Sequence, residues 1–160
     1  MEIHVFFLAS SDGQGTLRKD LIATLGKDRA KGFLLRYGWT CGFNDALSAR
    51  RQHPDKSDLS LLYHGAFLHS LEGSTHVNVL KANIDIQNKQ CFMESIWSNS
   101  YEAEQHCRHF SLSDEPVCWT LTGYASGYTS AIFGHRVLFR EIKCVGMGDE
   151  FCQVVCKPVE

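Results

Sequence analysis

The chain has only three prolines in 160 residues, at Pro54, Pro116 and Pro158, and no Pro/Gly/Ser-rich linker or internal repeat in its middle and end. Nothing therefore marks it as low-complexity or as a string of separate modules. No apolar run approaches the roughly 20 residues of a membrane span. Charge of one sign is missing too: 16 Lys+Arg against 18 Asp+Glu leave a formal net charge of -2. That balance argues against a nucleic-acid binder whose affinity comes from counterion release. An export signal is also lacking. The start MEIHVFFLASSDG carries Glu2 where a signal peptide has Lys or Arg, and its apolar run is short, with His4 just upstream. Ile3 to Leu8 therefore reads as a first strand, and the chain as a cytoplasmic one.

What remains is ordinary globular material, 44% hydrophobic and 21% charged. A chain of this length buries roughly 70% of its unfolded surface, enough for a real core. Cysteine is the one abundance. There are seven, an odd number, and four of them fall within the last 43 residues. In a reducing compartment a complete disulfide framework is not expected, and clustered thiols point to metal.

Periodicity gives an α+β order, helices first, then strands, then a helix and a hairpin. Leu17, Leu21, Ile22 and Leu25 recur at helical spacing, with Gly26 as C-cap. Residues 28–51 continue as helix, in which Gly32, Gly38 and Gly42 either weaken the helix or admit a close neighbour. Residues 57–70 read as a helix capped by Ser57. Residues 75–87 alternate as strand or hairpin, and 90–97 continue as strand. Residues 100–109 form a polar helix and 115–133 a buried one. Residues 137–145 and 150–156 read as antiparallel strands around Gly146 to Asp149.

Four residues stand out as metal ligands. Glu141 and Cys144 are close in one strand, Cys152 returns across a glycine turn, and Cys118 comes from the preceding helix. Three thiolates and a carboxylate make a closed tetrahedral Zn²⁺ site, structural rather than catalytic. By spacing alone, small buried hydrophobes fit the same cysteines equally well. Cys156 is a rival ligand, sharing the strand face of Cys152 but lying about 13 Å further along. A second candidate is Gly123-Tyr-Ala-Ser-Gly-Tyr128, whose small residues admit another backbone or a ligand and whose two tyrosines lie one turn apart. Tight helix packing explains that run as well. His69 and Trp97 read equally as core residues or ligand contacts. Gly13 to Lys19 lacks the Walker spacing, Cys107 does not face His106 or His109, and Ser126 lacks a nucleophile elbow.

Together the runs Gly15–Ile22, Asp28–Phe33, Arg36–Gly38, Leu68–Gly73, Trp97, Glu102–Glu104 and Gly123–Tyr128 resemble the N-terminal sensor domain of the phenol- and toluene-responsive activators of aromatic catabolism, the XylR/DmpR/MopR type. Glu141 through Cys152 to Val159 resembles its C-terminal vinyl-reductase-like (4VR) module. The resemblance implies the α+β sensor fold of nitric-oxide-signalling and Golgi-transport ligand-binding domains. It implies a structural Zn²⁺ on Cys118, Glu141, Cys144 and Cys152. It also implies a phenol or alkylbenzene effector in a closed apolar pocket, with His69 and Trp97 at the hydroxyl and Tyr124, Tyr128 and Phe139 in the wall. Leu62 and Ile96 are added as further lining. Phe139 stands where a Tyr is usual and Ser95 where a bulkier apolar residue is, so both bear on ligand size and polarity.

Residues 1–52 are assigned to dimerisation, with Phe6, Leu17 and Leu21 in the interface of a homodimer, and residues 53–160 to the ligand and zinc module. Family members continue into an AAA+ ATPase and a helix-turn-helix. Neither lies in this sequence, so a regulatory domain without DNA binding or catalysis of its own is expected, whether excised or free-standing. The alternatives are a zinc-stapled scaffold without a ligand and a vinyl-reductase-like enzyme.

Overall fold

The structure, a computed structural model, describes residues 9–158. The expected first strand, Ile3 to Leu8, and Phe6 with it, lie outside the described residues. Three helices come first: α1 (Ser11–Leu25), α2 (Lys27–Gln52) and α3 (Asp58–Leu71). A hairpin follows, β1 (His76–Asp85) and β2 (Gln90–Ser98), then α4 (Tyr101–His109), α5 (Trp119–Phe133), β3 (Val137–Lys143) and β4 (Cys152–Pro158). The strands form one antiparallel sheet in the order β1-β2-β4-β3. No described helix is long and apolar enough to cross a membrane.

Local chemistry explains most boundaries. Ser10, Ser57 and Ser100 each accept a hydrogen bond from a backbone N–H in the first turn of α1, α3 and α4, supplying a partner that a helix start otherwise lacks. Gly26 ends α1 at φ 81° and lets α2 begin at once. Asp85 closes the β1–β2 turn by accepting from the backbone and side chain of Asn88, at 3.0 and 2.7 Å.

Three boundaries differ from the sequence expectation. The buried helix starts at Trp119, not Glu115, because Pro116 disfavours helical backbone before it and Cys118 is the non-helical N-cap. The strand from Val137 stops at Lys143, where the chain tightens into a 3-10 turn at Val145–Met147. The last strand opens at Cys152 rather than Glu150.

The centre of the molecule is the contact of α2 with α5. A Cβ at Gly38 would overlap the carbonyl of Thr120, and one at Gly42 that of Tyr124. From the other side, Gly123 meets the carbonyl of Leu35 and Gly127 that of Trp39. The small residues of both helices thus admit each other's backbone. Serine hydroxyls then stitch α5 to the edge strand β3. Ser126 Oγ accepts from Phe139 N at 2.9 Å, and Ser130 Oγ both accepts from Val137 N and donates to its carbonyl. Buried apolar side chains form two clusters on this frame, one around Leu61, Leu62, Tyr124 and Tyr128, the other around Trp97, Cys118, Cys144 and Cys152. Phe139 packs against both.

Two glycines of α2 test this reading. Gly42→Ala is expected to destabilise the fold by about 3 kcal/mol, because two backbones must separate. Gly32→Ala, where the nearest atom is the movable Arg36 guanidinium at 3.5 Å, is expected to stabilise by up to about 1 kcal/mol through helix propensity. Urea denaturation midpoints of the two variants measure the contrast, and equal shifts would show that the crossing is not close.

Candidate functional site

Two sites hang from α5. The first lies at its N-terminus. Cys118 is the N-cap of α5, Glu141 is near the end of β3, Cys144 follows that strand, and Cys152 opens β4. The four ligand atoms all lie within 4.8 Å of one another. Cys118 Sγ is 3.8 Å from Cys152 Sγ, which is 4.0 Å from Cys144 Sγ. Thiolates at about 2.3 Å from a tetrahedral zinc stand roughly 3.8 Å apart, so the spacing suits a metal ion. All three cysteines are buried. Backbone N–H groups of Val117 and Val145 point at Cys144 and Cys152, at 3.5 and 3.4 Å, and Ser100 Oγ lies 3.1 Å from Cys118 Sγ. Glu141 accepts from Cys118 N through Oε2, while its Oε1 is buried without a partner.

The acid–base chemistry points the same way. Burial and the negative charge of Cys144 push the Glu141 carboxyl up to about 7. Burial raises the Cys118 thiol well above its ordinary range. Cys144, which receives hydrogen bonds from Cys118, Cys152 and Val117 N, is lowered to about 2. Without a cation the cluster tolerates little more than one negative charge; a divalent ion is what would let all four ligands ionise. The rival Cys156 is elsewhere. Its Sγ lies 3.2 Å from Cys91 Sγ in the other cluster, because β4 carries it opposite Met93 while Cys152 stays opposite Trp97.

The second site is a small cavity between α3, α5 and the sheet. Leu62, Gly65, Ala66 and His69 form one face of α3, and Val77, Met93, Ser95 and Trp97 come from β1 and β2. Tyr124, Ala125, Tyr128 and Thr129 come from α5, and Phe139 from β3. The space open to the centre of a water-sized sphere is about 40 Å³, room for a few such spheres. The lining is mostly apolar, as for a small-molecule site with few polar fixtures.

His69 is the main fixture. It is 4% exposed, and burial pushes its imidazole down to about 4, so it is uncharged at neutral pH. Its Nδ1 lies 3.1 Å from Ser74 Oγ, while Nε2 is buried and has no partner. The ring sits 4.6 Å from that of Tyr124 and 5.8 Å from that of Trp97, centroid to centroid. The tyrosine hydroxyls are already engaged. Tyr124 donates to Asp45 at 2.8 Å and Tyr128 to the Leu61 carbonyl at 3.0 Å. Their rings line the cavity.

Of the residues singled out from sequence, Leu62, His69, Trp97, Tyr124, Tyr128 and Phe139 meet around this cavity. Ile96 does not. It sits between Ser95 and Trp97 on β2, where alternate side chains point to opposite faces, and it is on the face away from the cavity. Met93, Ser95 and Trp97 share the buried face by that same alternation, a signal that the strand pattern carried for Met93 and Ser95 as well. Gly65 and Ala66 belong to the i, i+3, i+4, i+7 face of Leu62 and His69. Asp45 had no such signal, since its partner is 79 residues away.

A family model described as activator of aromatic catabolism matches residues 3–85, and a second, for the vinyl-4-reductase-type (4VR) domain, matches residues 97–158. The chain is 37% identical to the phenol regulator MopR of Acinetobacter guillouiae and 39% identical to the transcriptional regulatory protein XylR of Pseudomonas putida, each over 145 residues. These stretches cover 91% of the chain but 26% of either relative, so it spans about a quarter of their length. The crystal structure of the phenol-responsive sensory domain of the activator PoxR, solved with phenol, superposes with a TM-score of 0.90 at 38% identity, covering 96% of this chain and 76% of that one. The fold alone is shared with a trafficking protein particle complex subunit 3 from Naegleria fowleri, at TM-score 0.61 and 13% identity over 94% of this chain and 95% of that one. It is shared too with a vinyl-4-reductase family protein from Methanocaldococcus jannaschii, at TM-score 0.51 and 17% identity over 98% and 100%. The chain belongs to the family of the activators of aromatic catabolism, of which it carries the ligand-sensing regulatory domain.

Proposed function

We propose that the domain binds a single-ring aromatic effector, phenol or an alkylated relative, in the cavity beside His69, and releases it unchanged. The observation that carries this reading is the buried, unpartnered Nε2 of His69 on a ring that lines an otherwise apolar cavity. A buried hydroxyl without a partner costs about 1–3 kcal/mol, and a neutral imidazole nitrogen is a partner for one. The indole N–H of Trp97 is a second donor on the same wall. The phenol bound by the related PoxR domain is of this chemistry. Turnover would call for an ionisable group working beside an open cleft, whereas His69 is enclosed and held neutral. Within a cytoplasmic activator such binding would regulate an attached ATPase and DNA-binding part.

His69→Ala is expected to weaken phenol binding by about 1–3 kcal/mol and toluene binding much less, since toluene has no hydroxyl to satisfy. Titration calorimetry with both ligands measures it. Equal losses would mean that His69 shapes the cavity and does not hold the hydroxyl.

The cluster of Cys118, Glu141, Cys144 and Cys152 is assigned to a structural Zn²⁺. The donor set is filled by the protein, leaving no open position for a substrate. The site would tie the start of α5 to the β3–β4 hairpin. About one zinc per chain is expected by metal analysis of purified protein. Cys152→Ala is expected to lose the metal and most of the soluble yield, and a strong chelator is expected to lower the melting temperature of the unaltered protein. Well-folded protein without zinc would overturn the assignment.

Residues 1–52 are proposed to supply the dimer contact and residues 53–160 the ligand and metal module. In support, the outward faces of α1 and α2 leave Leu17, Leu25, Phe33 and Tyr37 between 39% and 50% exposed, with Leu21 half-buried beside them. Leu59, Tyr63, Phe67 and Leu71 of α3 form a competing apolar stripe at i+4 spacing. Leu17→Asp combined with Phe33→Asp is expected to give monomers by analytical ultracentrifugation at micromolar concentration, while Phe67→Asp leaves a dimer. The reverse pattern would place the interface on α3.

A further inference from the structure

We propose that Asp45 is a positioning residue of the aromatic pocket, which fixes the Tyr124 ring against His69 from outside the cavity. The inference rests on the reading of that cavity as the effector site. Asp45 itself does not line the cavity; it acts through the tyrosine hydroxyl.

Tyr124 is held at both ends by one turn of α2. At its backbone, the missing side chain of Gly42 admits the Tyr124 carbonyl, so α5 cannot shift here without opening the helix crossing. At its far end the phenol donates to Asp45 Oδ2 at 2.8 Å. Gly42 and Asp45 are three residues apart and therefore share a helix face. Between these two anchors lies the ring, 4.6 Å from His69 and stacked at 6.1 Å with an interplanar angle of 19° on Tyr128. Burial and the neighbouring Asp45 charge keep the phenol protonated far beyond neutral pH, so it remains a donor.

The two wall tyrosines differ in what holds them. Tyr128 donates to the Leu61 backbone carbonyl, which no side-chain change removes. Tyr124 relies on a single carboxylate, carried by a helix that contributes no residue to the cavity wall. Asp45 therefore sets the orientation of the aromatic surface that a ring-shaped ligand meets beside the hydroxyl-binding imidazole.

The test is a double-mutant cycle read by phenol calorimetry. Asp45→Ala is expected to weaken phenol about 5-fold, the scale of one hydrogen bond. Tyr124→Phe keeps the ring and deletes only the hydroxyl, and is expected to do the same. The double variant should be no worse than either single one, because both remove the same bond. Asp45→Asn, which retains an acceptor, should recover most of the affinity. Phenol affinity unchanged in Asp45→Ala, or losses that multiply in the double variant, would overturn the assignment while leaving the cavity as the effector site. An unaltered protein that binds no single-ring aromatic would remove both. Should Asp45→Ala fail to fold, Tyr124→Phe against Asp45→Asn decides, since full affinity in Tyr124→Phe overturns the role of the bond.

Discussion

Backbone-to-backbone contact between α2 and α5 is the constraint on which both sites depend. α5 brings Cys118 to the metal cluster at one end and Tyr124 and Tyr128 to the aromatic cavity, about two and three turns later. Neither placement tolerates drift, because a ligand set spaced for a metal and a wall built of two stacked rings are both sensitive to tenths of an ångström. Four glycines, two on each helix, allow the approach and at the same time forbid sliding. The serine hydroxyls of Ser126 and Ser130 then fix β3 to the same helix, so Glu141 and Phe139 inherit their positions from α5. A helix made mostly of small and weakly polar residues thus becomes the rigid part of the molecule.

The two sites share a wall. Trp97 lines the aromatic cavity and packs in the cluster that contains all three metal-binding cysteines, and Phe139 packs against both clusters. A protein that closed the cysteine cluster around an ion would therefore be setting the floor of the cavity as well. This division of labour, a charged set that ties elements together and an apolar space kept free of charge, fits a domain that binds without transforming. His69 illustrates it: the same burial that prevents its protonation leaves one nitrogen available to a hydroxyl.

Much of this was legible in the sequence, for local reasons. Ser57, Ser100 and Gly26 mark helix ends by their own side-chain or backbone chemistry, and the alternation in residues 90–97 states which side chains share a face. Cys118, Glu141, Cys144 and Cys152 were recognisable as a set only through resemblance, and the geometry then separates them from Cys156. The expectation for Ile96 fails because neighbourhood in sequence is not neighbourhood in space on a strand, whose side chains repeat every second residue. The glycines of α2 read as either weakness or close packing, and only the partner's carbonyls decide between them. Long-range polar pairs such as Asp45 with Tyr124 leave no periodic trace at all.

One such pair lies at the start of α5. Its N-cap is Cys118, whose side chain makes no capping bond and faces the metal cluster. The first-turn amides are satisfied instead from α4: Glu102 accepts from Thr120 N and Leu121 N, each at 3.0 Å, and from Arg18 of α1 at 3.1 Å. Both members of that ion pair are nearly fully buried, and the Arg18 guanidinium lies 3.8 Å above the Trp119 ring. A thiol that is neither needed nor used as a cap is free to serve as a ligand, and a helix capped by a borrowed carboxylate does not unwind when that thiol is engaged or released. Metal loading and helix integrity are thereby decoupled, so the cluster can assemble on a helix end that is already formed.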